Sequence, residues 1–239
     1  MSAEQSPGNA YPILWLRSLA FWIVFPLSIM LYAVLLLFTF PFSLSTRWRL
    51  VQTWARFVLW WLKVTCRLTH EITGTEHIPS GAAIVFSKHQ STWETIALQL
   101  IFPMQVWVAK RELMWIPFFG WGLVLMKCIA IRRGTGRAAV RQLVTQGRAR
   151  LDEGIWIVIF PEGTRIPPGQ KGHYRIGGAI LAEQTGYPIV PVAHNAGEYW
   201  PRRSFIKHPG VIQVCVGEPI ERNGKSAQDL LEEASGWIE

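Results

Sequence analysis

The chain has 239 residues, half of them hydrophobic and only 17% charged, against roughly 25% charged in soluble domains. This length holds one α/β domain with a sizeable core and a small appendage. Lys and Arg number 24 against 16 acids, a net charge of +8, and 13 Trp are present. A basic surplus suits nucleic acid, anionic lipid or phosphorylated ligands. The hydrophobic excess and the Trp load set nucleic acid aside in favour of a membrane–water interface. Cys66, Cys128 and Cys215 are odd in number and scattered, with no Cys-x-x-Cys. They read as reduced core residues of a cytoplasmic compartment rather than a disulfide framework.

Residues 1–11 are small and polar and read as a disordered tail. No charge occurs from Ser18 to Thr46, and Leu19–Phe40 is long enough to span a bilayer. The charged start is thin, the apolar run long and no small-residue cleavage site follows, which excludes an ordinary signal peptide. Pro26 and Pro41 predict a kink and a stop. In Arg47–Cys66, Arg47, Arg49, Arg56 and Lys63 interrupt an apolar face of Trp54, Phe57, Trp60 and Trp61, the pattern of an interfacial helix. Residues 12–66 are thus a membrane-binding helix pair. Positive charge gathers after the first helix, so the positive-inside rule puts the rest in the cytoplasm.

From residue 67 to 239 the texture is α/β. Short apolar strands are predicted at Ala82–Phe86, Val106–Ala109, Cys128–Ile131, Ile155–Phe160, Ile189–Ala193 and Val211–Val216. Helical spacing of Val140, Leu143, Val144, Gly147 and Leu151 predicts a helix over Arg137–Leu151, with Arg137, Arg141, Arg148 and Arg150 on its solvated face. Residues 226–238 form a closing helix. The fold class is α/β, a sheet flanked by helices.

Chemistry gathers at predicted strand exits, where α/β sheets bind ligands. After Ala82–Phe86 comes Lys88-His89-Gln90-Ser91-Thr92-Trp93-Glu94. Histidine takes a proton from a hydroxyl near neutral pH, and a carboxylate on its other nitrogen fixes the tautomer. Ser91-x-x-Glu94 is equally a capping box, and the two readings do not exclude each other. Phe160-Pro161-Glu162-Gly163-Thr164-Arg165 follows the strand at 155–160. It brings a turn, a carboxylate and a guanidinium suited to bidentate phosphate binding. Lys110-Arg111-Glu112-Leu113 adds charge at a third exit, and the aromatic stretch Ile116–Gly120 suits an acyl groove or a membrane surface, with core packing as the plain alternative.

Other chemistries fit less well. Gly134-Thr135-Gly136-Arg137-Ala138-Ala139 matches a loose dinucleotide fingerprint with Glu162 as ribose-binding acid. Its place halfway along the domain and the preceding Arg132-Arg133 count against it. Gly224-Lys225-Ser226 lacks the earlier glycine of a P-loop. No Gly-x-Ser-x-Gly elbow supplies a nucleophile, and no ligand spacing suits a metal. A membrane-surface adaptor without catalysis stands as the non-enzymatic alternative.

In this order, the blocks resemble the 1-acylglycerol-3-phosphate acyltransferase family of bacterial type, whose pattern is H-x4-D, a Lys/Arg- and Gly-containing block, F-P-E-G-T-R and a Val-Pro strand. Here these are His89…Glu94, Lys110–Arg133, Phe160–Arg165 intact and Tyr187–Val192, over roughly residues 67–220. Position 94 is Glu where the family has Asp, one methylene longer and still a carboxylate.

The resemblance implies transfer of an acyl chain from acyl-CoA or acyl-carrier protein to the sn-2 hydroxyl of 1-acylglycerol-3-phosphate, giving phosphatidic acid. His89 acts as general base and Glu94 orients it. Lys110 and Arg165 hold the phosphate, and Glu162, Gly163 and Thr164 belong to the same acceptor-binding turn. Backbone N–H groups near Gly163 suit an oxyanion, and Lys171 and Arg175 add charge. No cofactor or metal is implied. The partners are the lysophospholipid, the thioester donor and the bilayer, at the cytoplasmic face of a bacterial inner membrane. Glycerol-3-phosphate or another lysolipid is the alternative acceptor.

Overall fold

A computed structural model describes residues 7–132 and 136–239. Helix α1 runs Pro7–Phe38, so it begins inside the stretch expected as a tail. Proline is well placed in a first helical turn, where its missing N–H has no partner to lose. The helix continues through Pro26 and ends before Pro41. Over Tyr11–Phe38 it is long and apolar enough to cross a membrane.

Helix α2 follows at Leu44–Cys66, with Ser43 as N-cap accepting from the Thr46 N–H. Its buried stripe is Trp48, Ala55, Val58, Leu62 and Cys66, one side of a 3.6-residue period. That stripe is not the predicted aromatic face, because α2 turns its small and aliphatic residues to the domain; Trp60 stays 54% exposed.

The strands are β1 (Leu68–Thr73), β2 (Ile84–Ser87), β3 (Gln105–Lys110), β4 (Ile129–Ile131), β5 (Trp156–Ile159), β6 (Ile189–His194) and β7 (Gly210–Val216). Six lie where the apolar runs predict. The additional strand, β1, carries Thr69, His70, Glu71 and Thr73, and only its pairing with β7 makes it a strand. The helices after α2 are α3 (Trp93–Ile101), α4 (Phe119–Leu125), α5 (Arg137–Asp152), α6 (Gly177–Thr185), the single turn α7 (Ala196–Tyr199) and α8 (Ala227–Ile238).

Sheet order is β1-β7-β6-β2-β5-β3-β4. β6, β2, β5, β3 and β4 run parallel, and β7 opposes β6. Side chains alternate across the sheet. Ala83, Val85, Trp156, Val158, Val190 and Val192 face α1, α2 and α3, whereas Ile84, Phe86, Ile157, Ile159 and Ile189 face α5, α6 and α8. Covering both faces is why these strands read as continuous apolar runs. A Cβ on Gly178 would meet the Phe86 ring at 2.7 Å, so glycine lets α6 lie close on the sheet.

All three cysteines are free. Cys66 is buried and Cys215 is exposed, which corrects the expectation of three core residues: β7 alternates, and Cys215 falls on its outer side. The chain leaves β2 for β3 on one side and returns from β5 to β6 on the other. The carboxyl ends of β2 and β5 therefore flank the point where strand order reverses, the ligand position of open α/β sheets.

Candidate active site

His89 leaves β2 into a short loop before α3, and the loop is tied down at every turn. The His89 N–H donates to Glu162 Oε2 at 2.7 Å, and the His89 carbonyl accepts from the Ile166 N–H at 2.8 Å. The Lys88 carbonyl accepts from His194 Nε2 at 2.9 Å. The imidazole position is thus set by the backbone before its side chain makes any contact.

The His89 Nδ1 lies 2.8 Å from Glu94 Oε1. Glu94 is fully buried. Its carboxylate also accepts from the Gln90 N–H at 3.0 Å and from the Ser91 N–H at 2.8 Å (Oε1) and 3.1 Å (Oε2). Ser91 Oγ accepts from the Trp93 N–H, one residue short of the Glu94 N–H a full capping box would use, because the helix starts at Trp93 behind Thr92. Both readings of the Ser91-x-x-Glu94 pattern therefore meet in one carboxylate, which caps the loop and holds the imidazole. Burial pushes the Glu94 pKa up, but the hydrogen bond from His89, the charges of His194 and His89 and the Ser91 N–H together outweigh it and hold the carboxyl below its usual range.

An Nδ1–H donated to Glu94 leaves the Nε2 lone pair free. That nitrogen makes no hydrogen bond among the described residues, and the side chain is 15% exposed. The ring stacks on Phe160 at 4.0 Å and 15°, and Phe160 stacks on Trp107 at 5.5 Å. Trp107 opens onto an apolar cavity of about 160 Å³ walled by α1, α2, α3, α4 and β3, with Leu36, Trp48, Phe118, Phe119, Leu123 and Gln105 in its lining.

The other predicted residues divide. Arg165 is half-buried near the dyad. Burial lowers its pKa, the Glu94 charge counters this and Arg202 adds to it. Among the described residues its guanidinium forms no ion pair, while its carbonyl accepts from Arg202 Nη1 at 3.3 Å. Thr164 beside it is exposed. Lys110 stands exposed at the end of β3, two strands from β2 and hence about 10 Å across the same edge.

Glu162 departs from the expected acceptor-binding role. It is 4% exposed and turned inward, with Oε2 on the His89 N–H and Oε1 3.2 Å from Lys88 Nζ. Burial raises its pKa, the His89 N–H and Lys88 draw it down, and Glu239 raises it again. Lys88 Nζ also meets Glu239 Oε1 at 2.5 Å, which accepts from Tyr174 OH at 3.0 Å. Glu162 is therefore a positioning residue for the His89 loop. The Gly163 N–H donates to the Phe160 carbonyl at 3.0 Å and is engaged within its own turn rather than facing an oxyanion. Gly163 has φ +67, and a Cβ there would come within 2.8 Å of Arg175 Nε, so glycine is required. Arg175 is thus held against the turn, and Lys171 is exposed. Gly134 and Thr135 of the nucleotide-like run lie outside the described residues.

Lys88, Phe160, Trp107 and His194 escaped the reading by motif. His194 is 8% exposed, donates from Nε2 to the Lys88 carbonyl and accepts at Nδ1 from the Ala196 N–H at 3.3 Å, which defines a neutral ring. Burial holds its pKa below 6.5, with Glu94 and the Lys88 carbonyl pulling upward and the charges of His89 and Lys88 pushing down. A depressed folded-state pKa contributes stability above the unfolded value and loses it as pH falls toward the folded one. The melting temperature is therefore expected to decline as pH drops below 6.5, with a shallower decline in His194→Gln. Thermal melts across a pH series check this, and identical slopes in the two proteins would refute it.

The geometry has counterparts among known proteins. A family model described as acyltransferase matches residues 69–195. A 1-acyl-sn-glycerol-3-phosphate acyltransferase of Pseudomonas aeruginosa is 41% identical over 228 residues, 93% of this chain and 89% of that protein. The human 1-acyl-sn-glycerol-3-phosphate acyltransferase alpha is 31% identical over 73% of this chain and 63% of its own. The crystal structure of the 1-acyl-sn-glycerophosphate acyltransferase of Thermotoga maritima shares the fold with a TM-score of 0.75 at 22% identity, over 93% of this chain and 91% of that one. The matched family stretch opens on β1, closes just past His194 and encloses His89, Glu94 and Arg165, and so the chain belongs to the acyltransferase family.

Proposed function

We propose that the protein transfers an acyl chain from an acyl thioester to the free sn-2 hydroxyl of 1-acylglycerol-3-phosphate, with His89 as general base. The observation that carries the mechanism is the 2.8 Å contact between His89 Nδ1 and a buried, hydrogen-bonded Glu94. His89 Nε2 takes the hydroxyl proton as the oxygen attacks the thioester carbonyl. The tetrahedral intermediate collapses, the C–S bond breaks, and the thiolate takes the proton back from the imidazolium. Glu94 stays ionised throughout and stabilises the charged ring. The donor is acyl-CoA or acyl-carrier protein, since a thioester with either carrier enters the same step.

Arg165 suits the acceptor phosphate: it is half-buried, without an ion pair among the described residues, and close enough to the dyad to feel the Glu94 charge. Lys110 and Thr164 stand at the same edge as further donors. The apolar cavity reached through Trp107 takes an acyl chain. Its other walls, α1 and α4, turn apolar side chains outward, among them Leu27, Met30, Trp115, Phe118, Trp121 and Val124. So much exposed apolar surface on a basic chain suits immersion in a bilayer, at the cytoplasmic face of a bacterial inner membrane by the charge rule.

An acceptor panel with one fixed acyl donor tests the reading. Arg165→Ala is expected to lower kcat/KM for lysophosphatidic acid by about 10- to 100-fold, the scale of lost charge-assisted hydrogen bonds. The loss should appear mainly in KM and be far smaller for an acceptor without phosphate. A best acceptor lacking phosphate would overturn the assignment.

A further inference from the structure

The cavity wall is apolar apart from few positions, and one of these is out of keeping. Gln105 lines the cavity and is 1% exposed, yet both its Nε2 and its Oε1 are buried with no hydrogen-bond partner. Gln99, in the same lining, is satisfied: its Nε2 donates to the Thr95 carbonyl at 2.7 Å. Buried amide groups are normally paired, and an unpaired one penalises whatever apolar group seals it from a partner.

Position gives this amide its meaning. Gln105 is the first residue of β3 and pairs with Trp156, whereas Trp107 pairs with Val158. Residues two apart share a face of the sheet, so Gln105 lies about 7 Å beyond Trp107 along the strand. Trp107 touches Phe160, and Phe160 touches His89. The order on this face is therefore base, Phe160, Trp107, Gln105, with the amide at the end remote from the chemistry.

We infer that Gln105 is the specificity residue at the far end of the acyl cavity: a chain that stops short of its amide is accepted, and one long enough to lie against it is disfavoured. This rests on the cavity being the acyl site. Methylenes against the amide offer neither of its polar atoms a hydrogen bond and close off any other partner. A binding site discriminates most strongly when its own polar groups are left unpaired.

The test uses the full chain in detergent, lysophosphatidic acid as acceptor and saturated acyl thioesters of graded length. Gln105→Met keeps the side-chain volume and removes both polar atoms, and Gln105→Leu serves if that variant does not fold. The expected result is a rise in kcat/KM of about tenfold for the longest donors, with the shortest donors within about twofold of the unaltered protein. Parallel length profiles, or an equal change at every length, would overturn the role of Gln105 while leaving acyl transfer in place. Absence of turnover by the unaltered protein with every donor would instead overturn the acyl-transfer reading on which it stands.

Discussion

His89→Ala is expected to lower kcat by about 10²- to 10⁴-fold, the range that a positioned general base contributes, with KM for the acceptor little changed. The reason for a clean effect on turnover is the way the loop is held. The bonds that place residue 89 run through its N–H to Glu162 and its carbonyl to Ile166, and alanine keeps both. Glu94 keeps its bonds from the Gln90 and Ser91 N–H groups. What goes is the imidazole and its stack on Phe160, worth about 1 kcal/mol. Arg165 is untouched, so phosphate binding persists. A folded variant with full turnover would sink the mechanism, and circular dichroism with a thermal melt establishes the folded half of that statement.

Glu94→Gln is the second large effect. The substituted amide can still accept from the Ser91 N–H with its oxygen, but its NH₂ then faces His89 Nδ1 and donates where the carboxylate accepts. That places the imidazole proton on Nε2, the nitrogen that must be empty to act as a base. A loss of about 10²- to 10⁴-fold in kcat is expected from the wrong tautomer and the missing charge. Glu94→Asp keeps the charge and shortens the reach by one methylene, so it should retain far more activity. Equal activity in the two variants would leave Glu94 as a loop cap only. The same substitution has a signature in stability. The folded-state pKa of Glu94 lies below its ordinary 4.5, so its contribution is present above that value and is lost as pH falls through the folded one. Melts of the Gln variant should show a flatter acid limb there.

Much of this was legible without coordinates, for physical reasons that differ by element. The strands from β2 to β7 are covered on both faces, so their residues are apolar without alternation and announce themselves. β1 was missed because its polar residues satisfy strand pairing only through β7, 142 positions away in register. The His89–Glu94 pair was legible because four intervening residues are just enough for a carboxylate in the first turn of α3 to reach back. Arg165 was legible as the guanidinium at the end of a polar turn. Glu162 was misjudged for the opposite reason: a carboxylate beside a glycine turn has no local mark of which way it faces, and the partners that draw it inward, Lys88 and the His89 N–H, come from another strand. His194 had no motif at all; its part in the site exists only because β6 lies beside β2.

The stack of His89 on Phe160 has an entropic consequence. With one ring face covered, Nδ1 fixed to Glu94 and the backbone pinned on both sides, the imidazole has no rotamer freedom left to surrender when acceptor and donor arrive. Its ordering cost was met once, in folding, instead of in each turnover. Loosening the stack, as by Phe160→Ala, would then show up first as a more unfavourable activation entropy in the temperature dependence of kcat, with the acceptor KM and the protonation behaviour of the base largely as before.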